Sequence, residues 1–111
     1  MAYPAYVTVT LIEINGNSCG ELKGLMSFDS EITPPEYYLT EGDFTYGRLW
    51  RVDTGGGNHT WHLRLYVSQG TCAGLHDFRL QEAADNPLGD YCFFENQTLD
   101  CEKGQASVIE T

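Results

Sequence analysis

The residues of this chain that could carry chemistry are three histidines, four cysteines and a large excess of carboxylates. A catalytic nucleophile needs a base within hydrogen-bond reach, and the base needs a third group to orient it. No serine lies in a Gly-x-Ser-x-Gly turn. His59 and His62 are three positions apart, so in an extended strand their side chains point to opposite faces. The sequence therefore predicts a protein that is not an enzyme, with no catalytic residue and no metal ligand.

Two groups of acidic residues stand in predicted loops and could supply oxygen ligands to Ca²⁺. The first group is Asp29, Glu31, Glu41 and Asp43, and the second is Asp85, Asn86 and Asp90. Turns attract Asp and Asn for backbone reasons alone, because their short side chains accept hydrogen bonds from nearby backbone amides. We therefore favour turn chemistry and expect no cofactor, with bound Ca²⁺ as the alternative.

The cysteines Cys19, Cys72, Cys92 and Cys101 contain no Cys-x-x-Cys pair, which argues against a structural zinc site. Four cysteines allow three disulfide pairings. We favour Cys92–Cys101, which closes a short polar loop, together with Cys19–Cys72, whose members each stand beside a glycine-containing turn. Each bridge would add about 2–4 kcal/mol of stability by restricting the unfolded chain. The alternative is four buried free thiols.

The length of 111 residues suits one domain that spans residues 1–111. Sixteen acidic and six basic residues give a net charge of −10. That field repels phosphate backbones and anionic lipids, so we expect neither nucleic acid nor a membrane as a partner. The start of the chain lacks the basic and apolar regions of a signal peptide. A virion or extracellular location is the expectation, since virus-particle proteins leave the cell inside an assembly.

Strands dominate the predicted secondary structure. Residues 5–14 alternate between apolar and polar positions, with Val7, Val9 and Leu11 on one face. Gly24 interrupts the next strand and indicates a bulge or a close backbone approach. Further alternating segments and turn clusters bring the total to seven or eight strands with little or no helix. The predicted fold is a single antiparallel β-sandwich of the jelly-roll or immunoglobulin-like kind.

Residues 44–67 predict a β-hairpin, because two alternating runs are joined by a glycine-rich loop. Half of the basic residues lie in this segment, among several aromatic side chains. Its candidate binding residues are Tyr46, Arg48, Trp50, Arg51, Trp61, His62, Arg64 and Tyr66. Aromatic side chains beside arginine are typical of a sugar platform or of the energetic centre of a protein interface. Because both tryptophans are in phase with aliphatic neighbours, we expect them to fill the core, with the arginines facing solvent.

These features favour a non-enzymatic structural or interaction subunit of an extracellular assembly. The narrower expectation is a virus-particle protein, such as a capsid decoration, head-fibre or tail module. Its partners would be other protein subunits, either copies of itself or capsid and tail neighbours. The alternative is a secreted carbohydrate-binding module, which requires that Trp50, Trp61, Tyr37 or Tyr38 stand exposed beside polar side chains.

Overall fold

A computed structural model describes residues 3–31, 33–82 and 84–111 of the chain. These residues form eight β-strands, and their segments contain no helix long and apolar enough to cross a membrane. The strands are β1 (Tyr6–Ile14), β2 (Asn17–Asp29), β3 (Glu36–Gly42), β4 (Tyr46–Gly55), β5 (Asn58–Val67), β6 (Gly74–Leu80), β7 (Gly89–Glu95) and β8 (Thr98–Glu110). The expectation of an all-β fold is confirmed.

The strands close into an antiparallel barrel in which each strand pairs with the next along the chain. The last strand returns to the first, and Val9 of β1 lies opposite Val108 of β8. The predicted sandwich is therefore wrong, in both its jelly-roll and its immunoglobulin-like form. A sandwich separates its strands into two sheets, whereas here every connection joins neighbours and β1–β8 pairing leaves no sheet edge. The β4–β5 hairpin, by contrast, is confirmed.

The interior of the barrel is filled by side chains that alternate with outward-facing ones. Trp61, Tyr37, Tyr91 and Phe78 are the largest fully buried side chains. Smaller apolar residues are fully buried with them, namely Val7, Val9, Leu11, Met26, Leu49, Leu63, Leu65 and Val108. A barrel of eight strands has an interior just wide enough for such side chains to fill. The side chains available to a partner are therefore those on the outer surface.

The expected irregularity at Gly24 is present. Gly24 pairs with Gly42, and the register between β2 and β3 shifts just beyond this pair. A side chain at position 24 would bring its Cβ to 2.7 Å from Cδ2 of Phe44. Phe44 is itself buried. The missing side chain lets this aromatic ring lie directly on the backbone of β2.

Two disulfides are formed, and both have the expected pairing. Cys19–Cys72 joins β2 to the β5–β6 loop across the end of the barrel that also carries the β1–β2, β3–β4 and β7–β8 turns. Cys92–Cys101 joins the last two strands beside a register shift. The disulfides are compatible with an extracellular protein.

Two tyrosine hydroxyls secure the opposite end, where the chain termini and the β6–β7 loop lie. Tyr37 donates a hydrogen bond to the carbonyl of Pro4 at 2.6 Å, and Tyr91 donates one to the carbonyl of Pro87 at the same distance. Burial raises the pKa of both hydroxyls well above the ordinary value for tyrosine. They remain protonated donors, and they hold the N-terminal segment and the β6–β7 loop against the core.

Loss of the Cys19–Cys72 bridge will destabilise the protein more than loss of the Cys92–Cys101 bridge. The two bridges span 53 and 9 positions. The chain-entropy relation gives about 4 kcal/mol for the longer loop and about 3 kcal/mol for the shorter. Urea unfolding of the double Cys→Ser variants at each bridge measures the difference, with intact mass confirming that the other disulfide is oxidised. An equal loss, or a larger loss for Cys92–Cys101, would contradict this ranking.

Candidate interaction surface

The outward-facing residues of β3, β4, β5 and β6 form a continuous patch that we call the arginine–tyrosine wall. Cross-strand register arranges it in three rows. The first row is Tyr46, Tyr66 and Leu75, the second is Tyr38, Arg48, Arg64 and Asp77, and the third is Glu36, Trp50, His62 and Arg79. Paired residues on neighbouring strands project from the same face, so these side chains lie side by side.

Arg48 is held at the centre of the wall by a carboxylate and an indole. Its Nε and Nη2 donate to the two carboxylate oxygens of Glu36, at 3.1 and 2.9 Å. Its guanidinium carbon lies 4.3 Å from the centre of the Trp50 ring. The bond to Glu36 raises the pKa of Arg48, so this cation stays charged. The pair fixes the orientation of both Arg48 and Trp50.

Asp77 organises the neighbouring part of the wall. Its Oδ1 accepts a hydrogen bond from Nε of Arg64 at 2.7 Å, and it lies 2.8 Å from Nε2 of His62. Burial alone would raise the pKa of Asp77, but the hydrogen bonds from Arg64 and His62 outweigh it and leave the pKa below its ordinary value. Asp77 is therefore an anion that orients two side chains of β5.

Arg79 differs from the other three arginines, because among the described residues it forms no ion pair with a carboxylate. Its guanidinium lies over the ring of Phe94, 4.0 Å from the ring centre. Its Nε points to Nδ1 of His62 at 3.4 Å. Burial lowers the pKa of Arg79. The wall thus contains a partly buried cation whose neighbours are an aromatic ring and an imidazole.

His62 is neutral in this network. Desolvation lowers its pKa, and although the bond to Asp77 acts in the opposite direction, the charges of Arg79 and Arg64 add to the lowering. The neutral form with hydrogen on Nε2 fits both contacts, since Nε2 donates to Asp77 and Nδ1 accepts from Arg79. A second proton would place N–H groups of His62 and Arg79 against each other.

The Asp77–His62 pair does not have the surroundings of a catalytic dyad. In a nucleophilic triad, one imidazole nitrogen is held by a carboxylate and the other faces the nucleophile. Here the other nitrogen faces the guanidinium of Arg79, a cation with no nucleophilic electron pair. The arrangement instead orients charged and aromatic side chains on the outside of the barrel.

The structure brings together six of the eight predicted site residues. Tyr46, Arg48, Trp50, His62, Arg64 and Tyr66 all belong to the arginine–tyrosine wall. The other two project inward, since Trp61 is fully buried and Arg51 lies opposite it, with Nη1 of Arg51 3.4 Å from the hydroxyl of Tyr3. The expectation that both tryptophans fill the core is correct for Trp61 and wrong for Trp50. Trp50 lies on the outside of the barrel, partly covered by Arg48 and stacked on His62 at 4.6 Å.

The row nearest the disulfide-bridged end is the most open part of the wall. Tyr46, Tyr66 and Leu75 are 44%, 39% and 56% exposed. Tyr38, one row away, is also exposed. Large side chains at this exposure and in neighbouring positions make a continuous amphipathic surface beside the arginines. Of the four aromatic residues considered for sugar stacking, Tyr38 is the exposed one, Trp50 is partly buried, and Tyr37 and Trp61 are buried.

Sequence reasoning missed Glu36, Asp77 and Arg79 as members of the arginine–tyrosine wall, and it missed Phe94 of β7, whose ring lies against Arg79. Asp77 and Arg79 alternate with His76, Phe78 and Leu80, so the alternation of β6 already separated outward from inward residues. That Asp77 and Arg79 belong to the wall becomes visible only when β6 is paired with β5, because that pairing puts Arg79 beside His62. Glu36 and Phe94 depend on strand neighbours in the same way.

The acidic groups considered for calcium act as acceptors in turns. Asp29 accepts from the backbone amide of Glu31, and Asp43 from that of Lys23. These two aspartates lie at opposite ends of the barrel, since β3 runs between them. In the other group, the Asn86 side chain accepts from the amide of Leu88. No three metal-ligating side chains come together within residues 3–31, 33–82 and 84–111.

Protonation of His62 will destabilise the folded protein in mild acid. In the unfolded chain His62 takes up a proton near its ordinary pKa of 6.5, whereas in the folded protein its pKa is lower. The unfolded state therefore binds more protons as the pH falls below about 6.5, and the free energy of unfolding decreases. The contribution of Asp77 is lost only at lower pH, below its ordinary pKa of 3.8, as the pH falls through its folded value.

Urea unfolding of the wild type and of His62→Gln between about pH 7 and pH 5 measures this effect. We expect the loss of stability on acidification to be smaller in the variant. An equally steep loss in His62→Gln would show that another group is responsible.

No family model, curated protein or solved structure shows a significant match to this chain.

Proposed function

We propose that this protein is a non-enzymatic structural subunit of an extracellular assembly, and that it associates with copies of itself through the arginine–tyrosine wall. The observation that carries the proposal is the row of Tyr46, Tyr66 and Leu75, exposed beside the oriented Arg48 and Arg64. Tyrosine, tryptophan and arginine are the residues most enriched at the energetic centres of protein interfaces.

The distribution of charge supports this surface as the place of contact. The protein carries a net charge of −10, so two copies repel each other wherever carboxylates are dense. On the wall the carboxylates are Glu36 and Asp77, and each is already bonded to an arginine. Two copies therefore meet less repulsion when they approach through this surface.

The preorganisation of the wall also supports a role in binding. Arg48, Arg64 and Trp50 are fixed by ion pairs and stacking before any partner arrives. Side chains that are already ordered lose less conformational entropy on association, which favours affinity. The same ordering would be unnecessary for a surface that only kept the protein soluble.

The narrower proposal is a virus-particle subunit, such as a capsid decoration, head-fibre or tail module. The two disulfides suit a subunit that works outside the reducing cytosol. Carbohydrate binding is the competing function. It would depend on Tyr38 and the exposed row, because the ring of Trp50 is already engaged by Arg48 and His62.

Light scattering coupled to size-exclusion chromatography, over a series of protein concentrations, tests the proposal. We expect the wild type to form oligomers, and Tyr66→Glu to weaken them by about tenfold or more, because the change buries a charge in the contact. The matched control is Ile109→Glu, since Ile109 is 58% exposed and belongs to β8 on the other side of the barrel.

Three outcomes would count against the proposal. A wild type that stays monomeric at all concentrations would overturn self-association. If Tyr66→Glu and Ile109→Glu weaken the oligomers equally, the wall is not the contact between copies. Binding to a glycan array that Tyr66→Glu abolishes, with a monomeric wild type, would favour the carbohydrate-binding function.

A further inference from the structure

Among the described residues, the surroundings of Arg79 are unusual for so acidic a protein. The chain has sixteen carboxylates and six basic residues, so a cation has many acidic groups to pair with. Within residues 3–31, 33–82 and 84–111, Arg48, Arg51 and Arg64 each approach a carboxylate, whereas Arg79 approaches none. Arg79 is also partly buried, against Phe94 and His62.

The nitrogens that point away from these contacts are available to an anion. Arg64 and Arg79 use their Nε atoms within the wall, for Asp77 and His62 respectively. In the described part of the chain, their terminal nitrogens donate no hydrogen bond to a side chain or ion-pair partner. Arg64 and Arg79 stand on neighbouring strands, one pair of residues apart in register, and guanidinium groups are suited to binding carboxylates.

Carboxylates lie close to Arg79 in the fold, and Glu82 lines the same surface cavity as Arg79. The β6–β7 loop begins directly after the strand that carries Arg79, and Glu82, Asp85 and Asp90 lie in or beside it. Glu82 and Asp90 are exposed, and Asp85 keeps 73% of its side chain exposed next to His59. Tyr91 holds this loop against the barrel through Pro87. A positive site and a negative loop are therefore adjacent on one surface.

Adjacent opposite charges on one surface make that surface self-complementary. In a dimer with two-fold symmetry the same patch meets itself, so residue i of one copy meets residue j of the other and the reverse. We infer that the association proposed above is a two-fold dimer in which Arg64 and Arg79 of each copy bind carboxylates of the β6–β7 loop of the other. The inference rests on the proposed function and adds the identity and the symmetry of the contact.

The large negative charge of the protein does not forbid this contact. At physiological ionic strength the screening length is about 8 Å, so charges at the far ends of two barrels hardly interact. Within the contact, cation and carboxylate are close and partly desolvated, and there the attraction is strong. The dimer should therefore weaken as salt is raised from about 0.05 M to 0.5 M, whereas a contact made by apolar groups alone would strengthen.

A charge exchange between copies tests the inference. One full-length variant carries Arg64→Glu and Arg79→Glu, and the other carries Glu82→Lys, Asp85→Lys and Asp90→Lys. Each variant alone should dimerise at least about tenfold more weakly than the wild type, because its contacts bring like charges together. In an equimolar mixture both contacts of a heterodimer are again between opposite charges, so native mass spectrometry should show the mixed dimer.

The matched control for the arginine variant is Lys23→Glu with Lys103→Glu, which changes the net charge by the same amount outside the wall. Near-ultraviolet circular dichroism checks folding, and Arg79→Gln provides a gentler change if the reversal disturbs the fold. Recovery of the mixed dimer supports the inference. A mixture that remains monomeric although each variant is folded overturns it.

The outcomes also separate this inference from the proposed function. If the wild type dimerises, Tyr66→Glu prevents it and both charge variants dimerise normally, the wall is the interface but the Arg64 and Arg79 contact is wrong. If the wild type never self-associates, the proposed function fails and the inference fails with it.

Discussion

The pairing of β1 with β8 is the constraint on which the rest of this structure depends. β8 pairs with β7 along one edge and with β1 along the other, and its residues 105–108 take part in both pairings. Closure gives every strand two neighbours and leaves no unpaired edge. It also divides each strand into inward and outward positions, so that the interior takes the large apolar side chains and the outside receives Arg48, Arg64 and Arg79. The arginine–tyrosine wall is a direct consequence of that division.

Acidic and basic residues occupy different parts of the outer surface, and the difference has a physical reason. Most carboxylates are exposed in turns and at strand ends, where backbone amides and water solvate them. The outward rows of β4 and β5 instead carry arginines that lie on aromatic rings, an arrangement in which the cation is stabilised by the ring and by a carboxylate together. The arginine–tyrosine wall lies between these acidic ends of the barrel.

Much of this architecture was predictable from local sequence patterns. The β4–β5 hairpin follows from alternation around a glycine-rich loop, and the two disulfides follow from a short polar loop and two glycine-containing turns. The choice between sandwich and barrel did not follow, because it depends on whether the first and last strands pair, and residues a hundred positions apart leave no local signal of that pairing. The prediction that Trp50 fills the core was wrong for a related reason. Its alternation with Val52 resembles a core face, and only Arg48 in the same phase indicated that this face points to solvent.

We propose that copies of this protein associate through the arginine–tyrosine wall. A concentration series of amide nuclear magnetic resonance spectra of the wild type tests this contact residue by residue. If the wall is the contact, chemical-shift changes with rising concentration will cluster at residues 46–50, 62–66 and 75–82. Shifts confined to β1, β2 and β8, on the other side of the barrel, or spectra that do not change with concentration, would contradict it.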